Sequence, residues 1–392
     1  KEEGDIYYIN FSQDSYQLGG SSFAQTLNKI GAVAPDIKDP IFVKNAFNAL
    51  QEMISKDQIA AGHDIGSGGL ITTLLEMCFA DLNLGASIDL SALGESDTIK
   101  LLFAENAGVV FQLKAKASTA ILDAAAISYH KIGKVTNTPT LEIKNDRVAI
   151  GLPVASLRDT WMSTSALLDE KQTANGRGLA RFENYKHQAL DYSFPNNFTG
   201  VLAPFSGARP KAAILREKGS NSEREMANAM YLAGFDVKDI HMTDLISGRE
   251  NLEDVQFIGA VGGFSNSDVL GSAKGWAGAF KYNEKAKNAL DNFFVRPDTL
   301  SLGVCNGCQL FVELGLITPD HLEKPKMLHN DSGKFECTFT SVTLQKSSSI
   351  LLKGLEGSTL GVWSAHMEGK FILPQAEETY QIPAKYAYDA YP

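Results

Sequence analysis

From residue 208 onward short apolar runs alternate with helix-like stretches, and this rhythm restricts the fold more than any other feature of the sequence. The runs "PKAAILRE", "DVKDIHM", "FIGAVGGF" and "TLSLGVC" predict strands. Between the first two, "NSEREMANAMYLAGF" predicts a helix with Ser222 at its N-cap and Gly234 closing it. Helical segments also separate the later strands. Such alternation implies a parallel sheet covered on both faces. In these sheets chemistry gathers at the carboxyl ends of the strands.

The first 150 residues follow a different rhythm. "IYYINFS" and "AGVVFQLKA" predict strands, and "TLEIKNDRVAI" predicts a hairpin turning on Asn145-Asp146. "DPIFVKNAFNALQEMIS" places Phe42, Ala46, Phe47, Leu50 and Ile54 near helical spacing, and Pro40 lies just before that helix, a fitting start. "GSGGLITTLLEMCFADL" reads as a Gly-rich turn opening a second helix. The order is α+β, without strict βαβ alternation. Residues 151–207 lose both rhythms and read as a linker with one or two helices, leaving 208–392 as the second domain.

Bulk properties exclude several classes. A chain of 392 residues is too long for one ordinary core. Its net charge of −10, with no Lys/Arg block, gives no electrostatic footprint for nucleic acid. No apolar run is long enough for a membrane span, and the charged start "KEEGDIYYIN" lacks the apolar core of a signal peptide. Four cysteines are too sparse for a disulfide framework, so reduced thiols in the cytoplasm are expected. The absence of an initial Met and the ending "YAYDAYP" read as the ends of a piece of something longer.

Two of the four cysteines fall in "LGVCNGCQLF", where a buried strand turns sharply into an apolar helix. Zinc would want a second Cys or His pair at suitable spacing. Thioredoxin-like redox pairs follow the first strand of a small domain, whereas this pair comes late. The third reading is a nucleophile: Cys305 at a helix N-terminus, where the dipole and free N–H groups favour negative charge. Cys308 then lies one turn on and packs against the core, and Cys78 and Cys337 are buried small hydrophobes. An acyl-transfer thiol needs an oxyanion hole, and the Gly262-Gly263 loop and Asn306 can each offer a backbone N–H. It also needs a base. His321 comes too soon, since the intervening helix spans about 15–18 Å, and is expected at the surface. His366 follows the strand "TLGVWSA", so it is expected at a carboxyl strand end, on the correct rim, and is a candidate base.

"GVCNGCQ", "AVGGFSNSDVLGSAKGWA", "AHMEGKF" and "REKGSNSEREMANAMYLAGFDVKDIHMTDL" together resemble the large single-chain phosphoribosylformylglycinamidine synthases, at their class I glutamine amidotransferase domain. "LGGSSFAQTLNKIG" and "AGHDIGSGGLITTLLEMCFA" resemble the C-terminal part of that family's second synthetase repeat, related to aminoimidazole ribonucleotide synthetase. The resemblance implies a doubly wound glutaminase domain behind a synthetase-like one. It implies glutamine hydrolysis at Cys305, with ATP-dependent conversion of formylglycinamide ribonucleotide to the amidine through an iminophosphate. By position, Gly263 and Asn306 match the oxyanion donors, Gln309 and His366 the glutamine pocket, and Asp64 a carboxylate that helps hold Mg²⁺ at a bound nucleotide. Gly66 and Ser67 depart from the family's usual Ser-Asp pair after that Asp, and Met367 from its usual Gly. The family's catalytic His-Pro-Glu is expected beyond Pro392, so the remainder of the polypeptide is an expected partner and little glutaminase activity is expected of this piece alone. Two other readings stand beside this one: a stand-alone cysteine hydrolase using Cys305 and His366, and a non-catalytic binding module.

Overall fold

The computed structural model describes residues 4–184, 191–202 and 205–388. The chain divides into two compact units, the first ending at Ser165 and the second beginning at Ala166.

The first unit is built on seven strands: β1 Asp5–Asn10, β2 Ile59–Asp64, β3 Gly85–Asp89, β4 Gly108–Leu113, β5 His130–Thr136, β6 Thr140–Asn145 and β7 Val148–Pro153. They form one sheet in the order β2-β4-β1-β5-β3-β6-β7. Every pairing is antiparallel except β3 with β6, which gives the expected α+β character. Its helices are α1 Ser22–Thr26, α2 Pro40–Ser55, α3 Gly69–Cys78, α4 Thr98–Phe103 and α5 Ala120–Ala124, followed by α6 Val154–Gln172, which crosses the unit boundary. Strand parity sorts the core into two layers. Ile6, Tyr8 and Val110 pack with Leu70, Ile71 and Leu74 of α3. The intervening Ile9 and Phe111 pack with Ala46, Ala49, Leu50 and Met53 of α2. Pro40 is the first residue of that helix and not the residue before it, and Asp39 caps it by accepting from the N–H groups of Ile41 and Phe42. Of the residues at helical spacing, Phe47 and Ile54 are more than half exposed, because small Ala46 and Ala49 with Met53 face the sheet.

The expected linker, 151–207, contains the whole of α6 and then α7 Arg177–Asn184. Beyond it come β8 Lys211–Arg216, α8 Glu223–Leu232, β9 Asp236–His241, α9 Met242–Ser247, β10 Phe257–Ala260, α10 Lys274–Lys281, α11 Glu284–Val295, β11 Leu300–Gly303 and α12 Asn306–Glu313. The four strands form a parallel sheet in the order β11-β10-β8-β9. One face, with Ala212 and Ile214, packs against Met226 and Met230 of α8. The other, with Ala213 and Leu215, packs against Trp276, Phe280, Phe293 and Leu310 of α10 to α12. The doubly wound reading therefore holds for this sheet.

After α12 the pattern changes. β12 Lys326–Leu328 pairs with β15 Lys370–Ile372, while β13 Glu336–Leu344 lies between β14 Thr359–His366 and β16 Ala384–Tyr386 in a separate antiparallel sheet. The strand before His366 is therefore an antiparallel hairpin partner and not part of the parallel sheet, which corrects the rim argument made for it. Ser222 does occupy the N-cap of α8, but in a left-handed conformation without a capping bond, its hydroxyl donating to Asn221 instead. Cys337 is exposed on β13 and Cys78 half-buried, so neither is the sealed hydrophobe expected. Among the described residues no helix is long and apolar enough to cross a membrane.

Phe280 is 1% exposed within the cluster that backs β8 and β10. Phe280→Ala should cost about 3–5 kcal/mol in equilibrium urea unfolding; a loss below about 1 kcal/mol would contradict this packing.

Candidate functional site

Cys305 sits between β11 and α12 with φ 54° and ψ −113°. A non-glycine residue held there costs about 1–3 kcal/mol, and such strain persists only where surrounding contacts impose it. The contacts are identifiable. Val304 N–H donates to the Ala260 carbonyl at 3.0 Å, carrying the β10–β11 register up to the bend. Gly307 then lets α12 close down on β10: a Cβ there would lie 2.0 Å from the Ala260 oxygen. The result is an exposed thiol on a sharp elbow. Its sulfur lies 3.6 Å from the Ala365 carbonyl at the end of β14.

The Gly262-Gly263 loop borders this thiol. A Cβ on Gly262 would lie 3.2 Å from Cys305 Cβ and 3.7 Å from its Sγ. Gly263 adopts φ 112°, which excludes ordinary side chains. Asn306 opens α12, so its backbone N–H is among the donors a helix start leaves without an intrahelical acceptor. Its side chain is wholly buried. The oxygen accepts from Ser265 N–H at 3.2 Å, and the amide nitrogen donates to Gln309 Oε1 at 3.0 Å and Asp268 Oδ1 at 3.4 Å. Gln309, also buried, passes the chain on, donating to the Glu368 carbonyl at 2.7 Å. Its amide is thus engaged at both ends by protein, and a ligand would meet only its second N–H or second lone pair. Asp268 and Glu368 flank Ser272, whose hydroxyl donates to the first and whose N–H donates to the second. Burial pushes the Asp268 carboxyl up, and the charge of Glu368 adds to it.

His366 is held on both ring nitrogens. Asn330 fixes the tautomer: its NH₂ donates to the carbonyls of Lys334 and His366, so its oxygen faces Gly369 N–H and His366 Nδ1, which must then carry the proton. Nε2 faces the Ser364 hydroxyl at 2.9 Å. Among the described residues no histidine hydrogen-bonds to Cys305. His321 is half-buried with its ring tilted against that of Tyr380, a correction to the expected surface position. Burial pushes the Cys308 thiol up, with Cys305 adding to the effect, and holds Cys78 at about 11.

In the first unit Asp64 ends β2 with its side chain 86% exposed. It does not cap α3, whose N-cap is Gly68. The neighbouring turn is pinned by a carboxylate absent from the sequence reading: Glu105 accepts from the N–H groups of Gly68 and Ser22, both at 2.8 Å. His63 donates from Nδ1 to the Asp64 carbonyl and meets Glu76 through Nε2 at 3.0 Å, while Trp161 donates to the other Glu76 oxygen. Among the described residues no group of three or more His, Cys, Asp or Glu side chains could hold a metal ion. One exposed carboxylate fits only a cation carried mainly by water and phosphate oxygens, which is how Mg²⁺ usually binds with nucleotides.

The second unit thus presents an exposed thiol on a strand–helix elbow, bordered by a Gly-Gly loop, the arrangement of a nucleophile in an α/β domain. Residues 209–390 match the CobB/CobQ-like glutamine amidotransferase domain, and residues 13–145 match the AIR synthase related protein C-terminal domain. Nearly the whole chain is similar to one part of the phosphoribosylformylglycinamidine synthases. It is 39% identical over 391 residues to the probable chloroplastic/mitochondrial synthase of Arabidopsis thaliana, covering 95% of this chain and 27% of that protein. The Homo sapiens synthase is 37% identical, covering 97% of this chain and 30% of that one. The chain thus spans less than a third of the length of these relatives. The solved structure of PurLQS from Thermotoga maritima matches with 24% identity and a TM-score of 0.39, covering 47% of this chain and 77% of that one.

Because burial is the leading cause that holds the His366 imidazole below its ordinary value, with Glu336 opposing, it should titrate below about 6.5 by NMR. The unfolded chain then binds the extra proton first, so stability should fall as pH drops below about 6.5 and level off once the folded-state ring protonates. His366→Gln should flatten that part of the stability profile; an unchanged slope would show that another group is responsible.

Proposed function

We propose that this chain supplies the glutamine-hydrolysing site of a phosphoribosylformylglycinamidine synthase, together with part of its nucleotide-binding synthetase domain. The observation that carries the reading is Cys305 itself, strained, exposed and packed against Gly262. The Cys305 sulfur attacks the side-chain carboxamide carbon of glutamine, and a C–S bond forms as the carbonyl π pair moves to oxygen. Gly263 N–H and Asn306 N–H receive that oxyanion. Its collapse breaks the C–N bond, the leaving nitrogen takes the proton that the base accepted from the thiol, and ammonia departs to leave a thioester. Water then cleaves the thioester through a second oxyanion to give glutamate and the free thiol. His366, locked between Asn330 and Ser364, shapes the pocket and does not serve as base. The base and its carboxylate partner come from elsewhere in the longer polypeptide.

In this reading the ammonia displaces phosphate from formylglycinamide ribonucleotide that ATP has activated, in a reaction completed by the rest of the polypeptide. Asp64 would hold Mg²⁺ beside nucleotide phosphates in the first unit, where the ion would supply charge neutralisation. The free thiols fit a cytoplasmic setting. A stand-alone hydrolase using Cys305 and His366 is disfavoured by the engagement of both imidazole nitrogens.

In the full-length protein, Cys305→Ala should abolish glutamine-dependent amidine formation while ammonia-dependent formation persists. A glutamine-analogue alkylator should label Cys305 and no other cysteine. Loss of both activities in a folded variant, or labelling that survives the substitution, would overturn the reading.

A further inference from the structure

The Gly262-Gly263 peptide is held by a segment that the sequence reading left without a role. The loop between β8 and α8, residues 217–222, forms a two-bond bridge with it: Asn221 N–H donates to the Gly262 carbonyl at 2.9 Å, and Phe264 N–H donates to the Gly219 carbonyl at 2.9 Å. A third bond, Asn266 N–H to the Lys218 carbonyl at 2.9 Å, extends the seam. In a trans peptide the C=O and N–H point in opposite directions. With the Gly262 carbonyl turned toward Asn221, the Gly263 N–H is turned away from the loop, and among the described residues no group accepts from it. Reversal of this peptide would cost the Asn221 bond. The seam leaves no slack, since a Cβ on Gly219 would lie 2.4 Å from the Phe264 oxygen and one on Gly263 2.7 Å from Asn221 N. The loop itself is anchored where Ser220 Oγ donates to the Glu217 carbonyl at 2.7 Å.

We infer that the 217–222 loop is a positioning element that presets the oxyanion peptide, with the backbone N–H of Asn221 as its key donor. The inference rests on the reading of Cys305 as the amide-hydrolysing nucleophile. It assigns Asn221 a role that its side chain does not carry.

The test compares Asn221→Pro, which deletes that N–H, with Asn221→Ala, which keeps it, in the full-length protein. Asn221→Pro should lower kcat for glutamine hydrolysis by about a hundredfold or more, the usual cost of an oxyanion donor, with KM for glutamine little changed. Alkylation of Cys305 by iodoacetamide and the ammonia-dependent reaction should stay at wild-type rates, because neither forms the oxyanion. Asn221→Ala should behave as wild type. Should Asn221→Pro fail to fold, Gly219→Ala carries the same test, since it keeps every N–H but drives the seam apart at φ 86°. Wild-type kcat in Asn221→Pro, equal losses in the Ala and Pro variants, or wild-type kcat in Gly219→Ala would overturn the inference. The underlying reading fails separately, by glutamine hydrolysis that survives Cys305→Ala.

Discussion

The buried carboxamide of Asn306 is the interaction on which the candidate site depends. One acceptor and two donors meet one N–H and two oxygens, so the group is satisfied although water cannot reach it. Truncating it would strand buried partners at about 1–3 kcal/mol each. Its larger effect is geometric. It ties the loop after β10 to the elbow helix, and through Gln309 it reaches the turn after β14. These are the three segments that surround the Cys305 sulfur, and none is adjacent to another in sequence. A strained residue is retained only when its neighbours leave it no alternative. Here Asn306 from one side and Gly307 against Ala260 from the other supply that constraint.

The first unit solves a similar problem with a charge. Its Gly-rich turn after β2 has no side-chain cap, and the Glu105 carboxylate serves both that turn and the start of α1. The turn is thereby shaped while Asp64 stays exposed. Both units hold a conformationally permissive backbone, rich in glycine, by one polar side chain placed beyond the motif itself.

Much of this was legible in the sequence because it is local. The elbow is a strand, a turn and a helix within fourteen residues, and small residues mark its tight points. Helix α2 announced its own start through Pro40, while the Asp39 cap went unread. Long-range pairing left no such mark. An alternating run such as "TLGVWSAH" looks alike in a parallel or antiparallel sheet, and only its partner β13 decides. Asn330 lies 36 residues from His366 in a stretch without a motif, so the imidazole's lock was invisible. Phe47 and Ile54 fell near helical spacing, yet the close approach of α2 to the sheet favoured alanine over large side chains.

The segment read as a linker has an energetic hold of its own. Asp169 near the end of α6 meets Arg181 and Lys334, Arg181 reaches the buried Glu336 at 2.6 Å, and Ala174 N–H donates to the Ser332 carbonyl. Glu336 is the cross-strand neighbour of His366. An excised amidotransferase unit that began at the family boundary near residue 209 would expose Glu336 without its guanidinium and leave Lys334 without its carboxylate. A cut placed ahead of Ala166 keeps these charges paired.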